Sequence, residues 1–131
     1  MSCGLEFNRS ALSLAQRSNR GWLSMKKIYN KLVRDKIPQI CKDDGEVPEY
    51  YVCSQSKFKN ELKRKLIEEA KELRAAKVGE IKNEIVDVYE ILLNIAKIFK
   101  IKWSEVESYR TQKNKKRGSF NKRYFLVSSK K

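Results

Sequence analysis

Four carboxylates stand at spacings that can do chemistry. Within "LIEEAKELRAAKVGEIKNEIVDVYEILLNI", residues 66–95, Glu69 and Glu72 form one i, i+3 pair, and Glu84 and Asp87 form another. On a helix that spacing puts two side chains on one side, a turn apart. Glu68 adjoins the first pair. Acids gathered in this way attract a divalent cation. The chain has no histidine, and its three cysteines (Cys3, Cys41, Cys53) show no C-x-x-C spacing. A zinc site is therefore excluded in practice. An all-oxygen donor set of Glu69, Glu72, Glu84 and Asp87 selects Mg²⁺, with Mn²⁺ as the alternative. Helical di-iron sites use Glu-x-x-His, which this chain cannot supply.

Two helices must position these acids. The first is expected over residues 57–77. At 100° per residue, Phe58, Leu62, Leu66, Leu73 and Ala76 share a narrow apolar stripe. Glu69 falls about 20° from Phe58, inside that stripe, and Glu72 about 40° to its other side. Glu68 falls just outside. The second helix is expected over 80–100, with Ile81, Ile85, Val88, Leu92, Ile95 and Phe99 on one face. Val86, Ile91, Leu93 and Ile98 widen that face until neighbours should cover most of the helix. Glu84 lies within the arc and Asp87 at its edge. The connection through Val78-Gly79 is short, so the helices should run antiparallel, with the pairs facing each other.

Such a seam is costly. Burying one unpaired carboxylate costs several kcal/mol, and like charges raise one another's pKa. Lys63, Lys65, Lys71 and Lys82 could offset this, with Lys65 closest by helical angle. A divalent cation offsets it better. The competing reading makes the acids ordinary surface salt bridges on charged helices.

The remaining chain completes a helical bundle. "KLVRDKIPQICKDDG" predicts a short helix over 33–44, with Asp35 as its N-cap and Gly45 at its end. "EVPEYYVCS" reads as an extended connection or short edge strand. Ser54 or Ser56 can cap the helix that follows. A fourth helix is expected over 103–117, capped by Ser104 and stopped by Gly118. "FNKRYFLV" after it has the composition of a short strand. "KDDGE" lacks the acidic spacing of a calcium loop and reads as a solvated turn. The fold class is thus all-α, a bundle of about four helices with minor extended segments.

The chain of 131 residues suits one domain, with 40% hydrophobic residues leaving part of its apolar surface for a partner subunit. No apolar run approaches a membrane span. Residues 1–24 are expected to be a flexible extension, a cloning scar or an upstream start outside the domain, their weak apolar pattern counting against a presequence, with patterned sequence beginning at Met25. Cysteine usage fits a reduced, cytoplasmic protein. The net charge is +14, and residues 97–131 hold twelve Lys/Arg against Glu105 and Glu107. That region could engage nucleic acid, an anionic membrane or a small polyphosphate. Lys113 and Arg117, four apart, either bind phosphate or complement the helix dipole. Phe120, Phe125 and Trp103 are expected in a core or interface rather than as base-stacking platforms.

The ordered set E68-E69-x-x-E72…E84-x-x-D87 resembles the EExxE…ExxD signature of the MazG-like all-α nucleoside triphosphate pyrophosphatases. That superfamily includes phosphoribosyl-ATP pyrophosphohydrolase and all-α dUTPases. The flanks "YNKLVRDKIP" (29–38) and "KNKKRGSFNKRYFL" (113–126) are similar to those of a small phosphoribosyl-ATP pyrophosphohydrolase-like branch, with Ser119 where a second glycine is usual. The resemblance implies Mg²⁺-dependent hydrolysis between the α and β phosphates of a nucleotide, in a homo-oligomer. Metal ligands would be Glu69, Glu72, Glu84 and Asp87. Glu68, Glu69 or Glu72 would orient the attacking water. Lys113, Arg117, Lys31 and Arg34 would contact phosphate, with Asp35 and Lys36 near the site. Alternatively, Arg34 and Asp35 tie the N-terminal segment to the bundle. Two other function classes stay open: a non-enzymatic nucleic-acid binder using residues 110–131, and a nucleotide sensor without turnover.

Overall fold

The computed structural model describes residues 26–131, so the expected extension 1–24 lies outside the described residues. The described chain is all-α. It comprises α1 (Ile37–Asp43), α2 (Gln55–Ala75), a 3-10 turn (Val78–Glu80), α3 (Ile81–Ile98) and α4 (Trp103–Arg117).

α1 starts later than the expected residue 33, and its N-cap is Lys36 rather than Asp35, with no side-chain cap bond. Pro38 explains this. Its ring would clash with the carbonyl of Arg34 in a continuous helix, so residues 34–37 form a turn closed by Ile37 N–H to Arg34 O at 3.1 Å. Ile37 and Cys41 are buried against Tyr29, Val33 and Ile40. Gly45, at φ 81°, turns the chain out of this helix.

Ser54, one of the two expected candidates, caps α2, accepting a bond from Lys57 N–H at 3.2 Å. α2 ends at Ala75, and Ala76 and Lys77 are extended before the 3-10 turn reverses the chain into α3. The two long helices pack on each other, and their contact dominates the tertiary structure. Leu62 from α2 and Ile91 and Ala96 from α3 are buried, along with Lys65, Glu69, Glu84 and Asp87.

The buried face of α3 is not the one that the apolar pattern singles out. Glu84, Asp87 and Ile91 are buried, while Ile85, Val86, Tyr89 and Leu92 are 52%, 50%, 48% and 38% exposed. α3 is rotated so that its acid edge faces α2, and the expected all-round cover is missing within one chain. With α2 the main helical partner, one side of α3 stays open.

α3 closes with Lys100 in the left-handed region, φ 59°, and Ile101 N–H bonding to Ala96 O at 2.8 Å. This is a Schellman arrangement. α4 begins at Trp103, one residue before the expected cap Ser104, with Lys102 at the N-cap. The Trp103 ring meets Tyr89 edge-on at 5.7 Å and anchors the first turn. α4 buries no residue, and Gly118, at φ 79°, ends it as expected.

The expected short strands do not form among the described residues: 46–54 and 119–127 carry no ladder. A strand needs a neighbour for its backbone groups. Residues 118–131 are all exposed. No described helix is long and apolar enough to cross a membrane.

Candidate functional site

The α2–α3 pair brings the carboxylates into one seam. On α2, Lys65, Glu68, Glu69 and Glu72 follow i, i+3, i+4 and i+7 spacing, so all four share a side. α3 contributes Glu84 and Asp87. One carboxylate oxygen from each of Glu69, Glu72 and Glu84 lies within 4.8 Å of the others. Glu69 and Glu84 are buried, whereas Glu72 stands at the exposed mouth. Glu69 Oε2 and Glu84 Oε2 are buried without a hydrogen-bond partner.

Asp87 is not part of this three-oxygen group. Its side chain is 1% exposed, and Oδ1 accepts a bond from Arg34 Nη2 at 2.8 Å. Arg34 thereby ties the segment before α1 to α3, one of the two roles its sequence position allowed. Lys65, 6% exposed, places Nζ 3.6 Å from Glu69 Oε1 and 3.9 Å from Glu68 Oε2. Helical angle alone had put Lys65 beside the cluster.

These two cations do not neutralise the seam. Burial first, then the hydrogen bond and charge of Glu72, push the Glu69 carboxyl up from 4.5 to about 7; Asp87 adds to the rise and Lys65 opposes it. Burial also raises Glu84, helped by the charges of Glu72 and Asp87. Glu68 is half-exposed beside the group, with Lys65 as its ion-pair partner.

The donor set fits a hard divalent cation. Metal–oxygen bonds of about 2.0–2.1 Å in Mg²⁺ octahedra require ligand oxygens at most about 4 Å apart. The three carboxylate oxygens, within 4.8 Å of one another, lie close to that span. An ion there would satisfy the orphaned Oε2 atoms of Glu69 and Glu84 and relieve their mutual repulsion.

The other expected site residues are placed elsewhere. Lys31 Nζ lies 5.8 Å from the Tyr29 ring, within its own segment. Asp35 and Lys36 are exposed in the turn before α1. Lys113 and Arg117 line a cavity of about 230 Å³ on α4 together with Tyr109, Gln112 and Lys116. Tyr109 and Lys116 were not among the expected site residues. The signal for them was the i, i+3, i+4, i+7 spacing of 109, 112, 113 and 116, which puts these side chains on one face.

Comparison of the chain with protein-family profiles, with curated proteins and with solved structures gives no match.

Proposed function

We propose that the chain is a Mg²⁺-dependent nucleotide pyrophosphohydrolase. It cleaves between the α and β phosphates of a nucleoside triphosphate or related nucleotide, giving a monophosphate and pyrophosphate. The observation that carries this reading is the convergence of Glu69, Glu72 and Glu84 around two buried carboxylate oxygens without partners. The resemblance of the acid signature and of both flanking motifs to the MazG-like pyrophosphatases points the same way.

When bound, the cation supplies charge neutralisation at the phosphate oxygens and a lowered pKa for water. Glu69, Glu72 and Glu84 would hold it. Glu68 lies outside the three-oxygen group and is reachable from solvent, its side chain 43% exposed. It orients the attacking water and accepts its proton as the bond to the departing pyrophosphate breaks. Lys65 limits the negative charge that the substrate meets. Arg34, half-exposed beside Asp87, has donors left over for a phosphate oxygen. Lys113 and Arg117 stand on α4, which meets α3 at its first turn, so within one chain the phosphate contact falls to Arg34. The working form is a homodimer in the cytoplasm, joined through the open apolar face of α3.

The test is a nucleotide panel scored by pyrophosphate release, with and without Mg²⁺ or Mn²⁺. Metal-dependent release is expected, and Glu69→Gln and Glu84→Gln should abolish it in protein that still folds. Folded wild-type protein that hydrolyses no nucleotide would refute the enzyme. Tight calorimetric binding of Mg–nucleotide without product would make it a sensor instead.

A further inference from the structure

Within one chain the basic C-terminal arm, residues 108–131, buries no side chain. Residues 108–131 hold nine Lys/Arg and no acid, and every residue from 107 onward is exposed. Arg110 pairs with Glu107 at 3.0 Å; no other cation of the arm forms an ion pair within the described residues. Four aromatic rings are interleaved with these cations. Tyr109, Phe120, Tyr124 and Phe125 are 69%, 93%, 85% and 90% exposed. The sequence pattern placed Phe120 and Phe125 in a core or interface, and within one chain neither is covered.

We propose that α4 and residues 118–131 form a binding surface for single-stranded nucleic acid, separate from the carboxylate seam. Two half-open surface hollows that share Arg117 give it a track. One, of about 230 Å³, is lined by Tyr109, Lys113, Lys116 and Arg117. The next, of about 360 Å³, is lined by Arg117, Lys122 and Tyr124 among others. Arg117 lines both, so cation and ring alternate from the last turns of α4 into the arm. Lys122 Nζ already lies 5.9 Å from the Tyr124 ring. Cations follow a phosphate backbone, and exposed rings stack on bases. Stacking on a ring needs an unpaired base, which a duplex does not offer.

Other polyanions fit less well. An acidic peptide would engage the cations but gives the rings nothing to stack on. A membrane-surface helix needs a broad apolar face opposite its charges, and the last three turns of α4 carry Tyr109 as their single large apolar side chain. Docking of this arm on the arm of a second copy would set like charge against like. The surface is independent of the proposed hydrolysis, and either can fail alone.

The test is fluorescence anisotropy of the full chain with 20-nucleotide oligo(dT) and oligo(rU), a duplex of equal length, and phosphatidylserine vesicles. Single strands should bind about tenfold tighter than the duplex. Affinity should fall linearly with salt on logarithmic axes, by a slope of roughly −0.7 per phosphate neutralised. Tyr124→Ala with Phe125→Ala should weaken single-strand binding by about tenfold or more and leave duplex binding unchanged. Lys116→Glu with Lys122→Glu should flatten the salt slope. Glu69→Gln should leave binding intact. Equal affinity for duplex, indifference to the ring variants, absence of oligonucleotide binding, or tighter binding to vesicles would overturn the proposal.

Discussion

Glu69 is the residue on which the seam's energetics turn. It is 2% exposed, and its carboxyl titrates near 7 rather than 4.5. The folded state therefore holds this proton more tightly than the unfolded chain does. The stability it lends is complete below about pH 4.5 and is lost as the pH rises through about 7. Glu84 shifts in the same direction. Protein stripped of metal should thus melt at falling temperature between pH 4.5 and 7, and millimolar Mg²⁺ should recover most of the loss above pH 7. Glu69→Gln should remove most of this dependence and stabilise the metal-free protein at pH 8 by about 1–2 kcal/mol. Thermal unfolding across that pH range, with and without chelator, measures all three effects. A flat profile would mean that the acids are solvated surface groups. Arg34 carries the opposite expectation. Arg34→Ala leaves Asp87 buried without its guanidinium and should cost about 3 kcal/mol, read by urea denaturation.

At the scale of elements, the ends of the helices explain where the site can form. Ser54 fixes the start of α2, and Ser54→Ala should cost about 1 kcal/mol. The end of α3 is less favourable. Lys100 occupies a left-handed position, φ 59°, that glycine takes without a steric penalty. Lys100→Gly should raise stability by about 1 kcal/mol, seen as a higher melting temperature with unchanged metal response. The 3-10 turn at Val78–Glu80 keeps α2 and α3 adjacent and antiparallel, which is what lets Glu84 reach Glu69 and Glu72. The acid pairs and that short connection were legible because helical spacing and loop length are local. The role of Arg34 was left open between phosphate contact and a tie to the bundle, because Asp87 is far from it in the chain and Pro38 decides how the segment enters α1.

Over the whole molecule, the apolar core is small. The buried hydrophobic residues among those described are Ile37, Cys41, Leu62, Ile91 and Ala96. Few single domains hold together on so little. The open side of α3, with Ile85, Val86, Tyr89 and Leu92 exposed, is the surface that the proposed dimer would cover. Val86→Lys with Leu92→Lys should convert a dimer to a less stable monomer, measured by light scattering and melting. If wild-type protein is monomeric at micromolar concentration, that face has another role. The net charge of +14 sits mainly on the arm that leaves the bundle, so it does not oppose docking through α3.

The sequence by itself determined the helical class, the extents of the long helices to within two residues, the oxygen-only character of the acid cluster and the nearness of Lys65. All of these follow from residue type and a 100° step. Tertiary structure decided which way α3 faces. The apolar arc of α3 is broad enough to pack in several orientations, and the one adopted buries Glu84 and Asp87 and leaves Ile85 and Leu92 open. It also set Lys113 and Arg117 in a hollow lined by α4 residues alone, while the first turn of α4 meets α3 through the Trp103–Tyr89 contact, which no periodicity in α4 encodes.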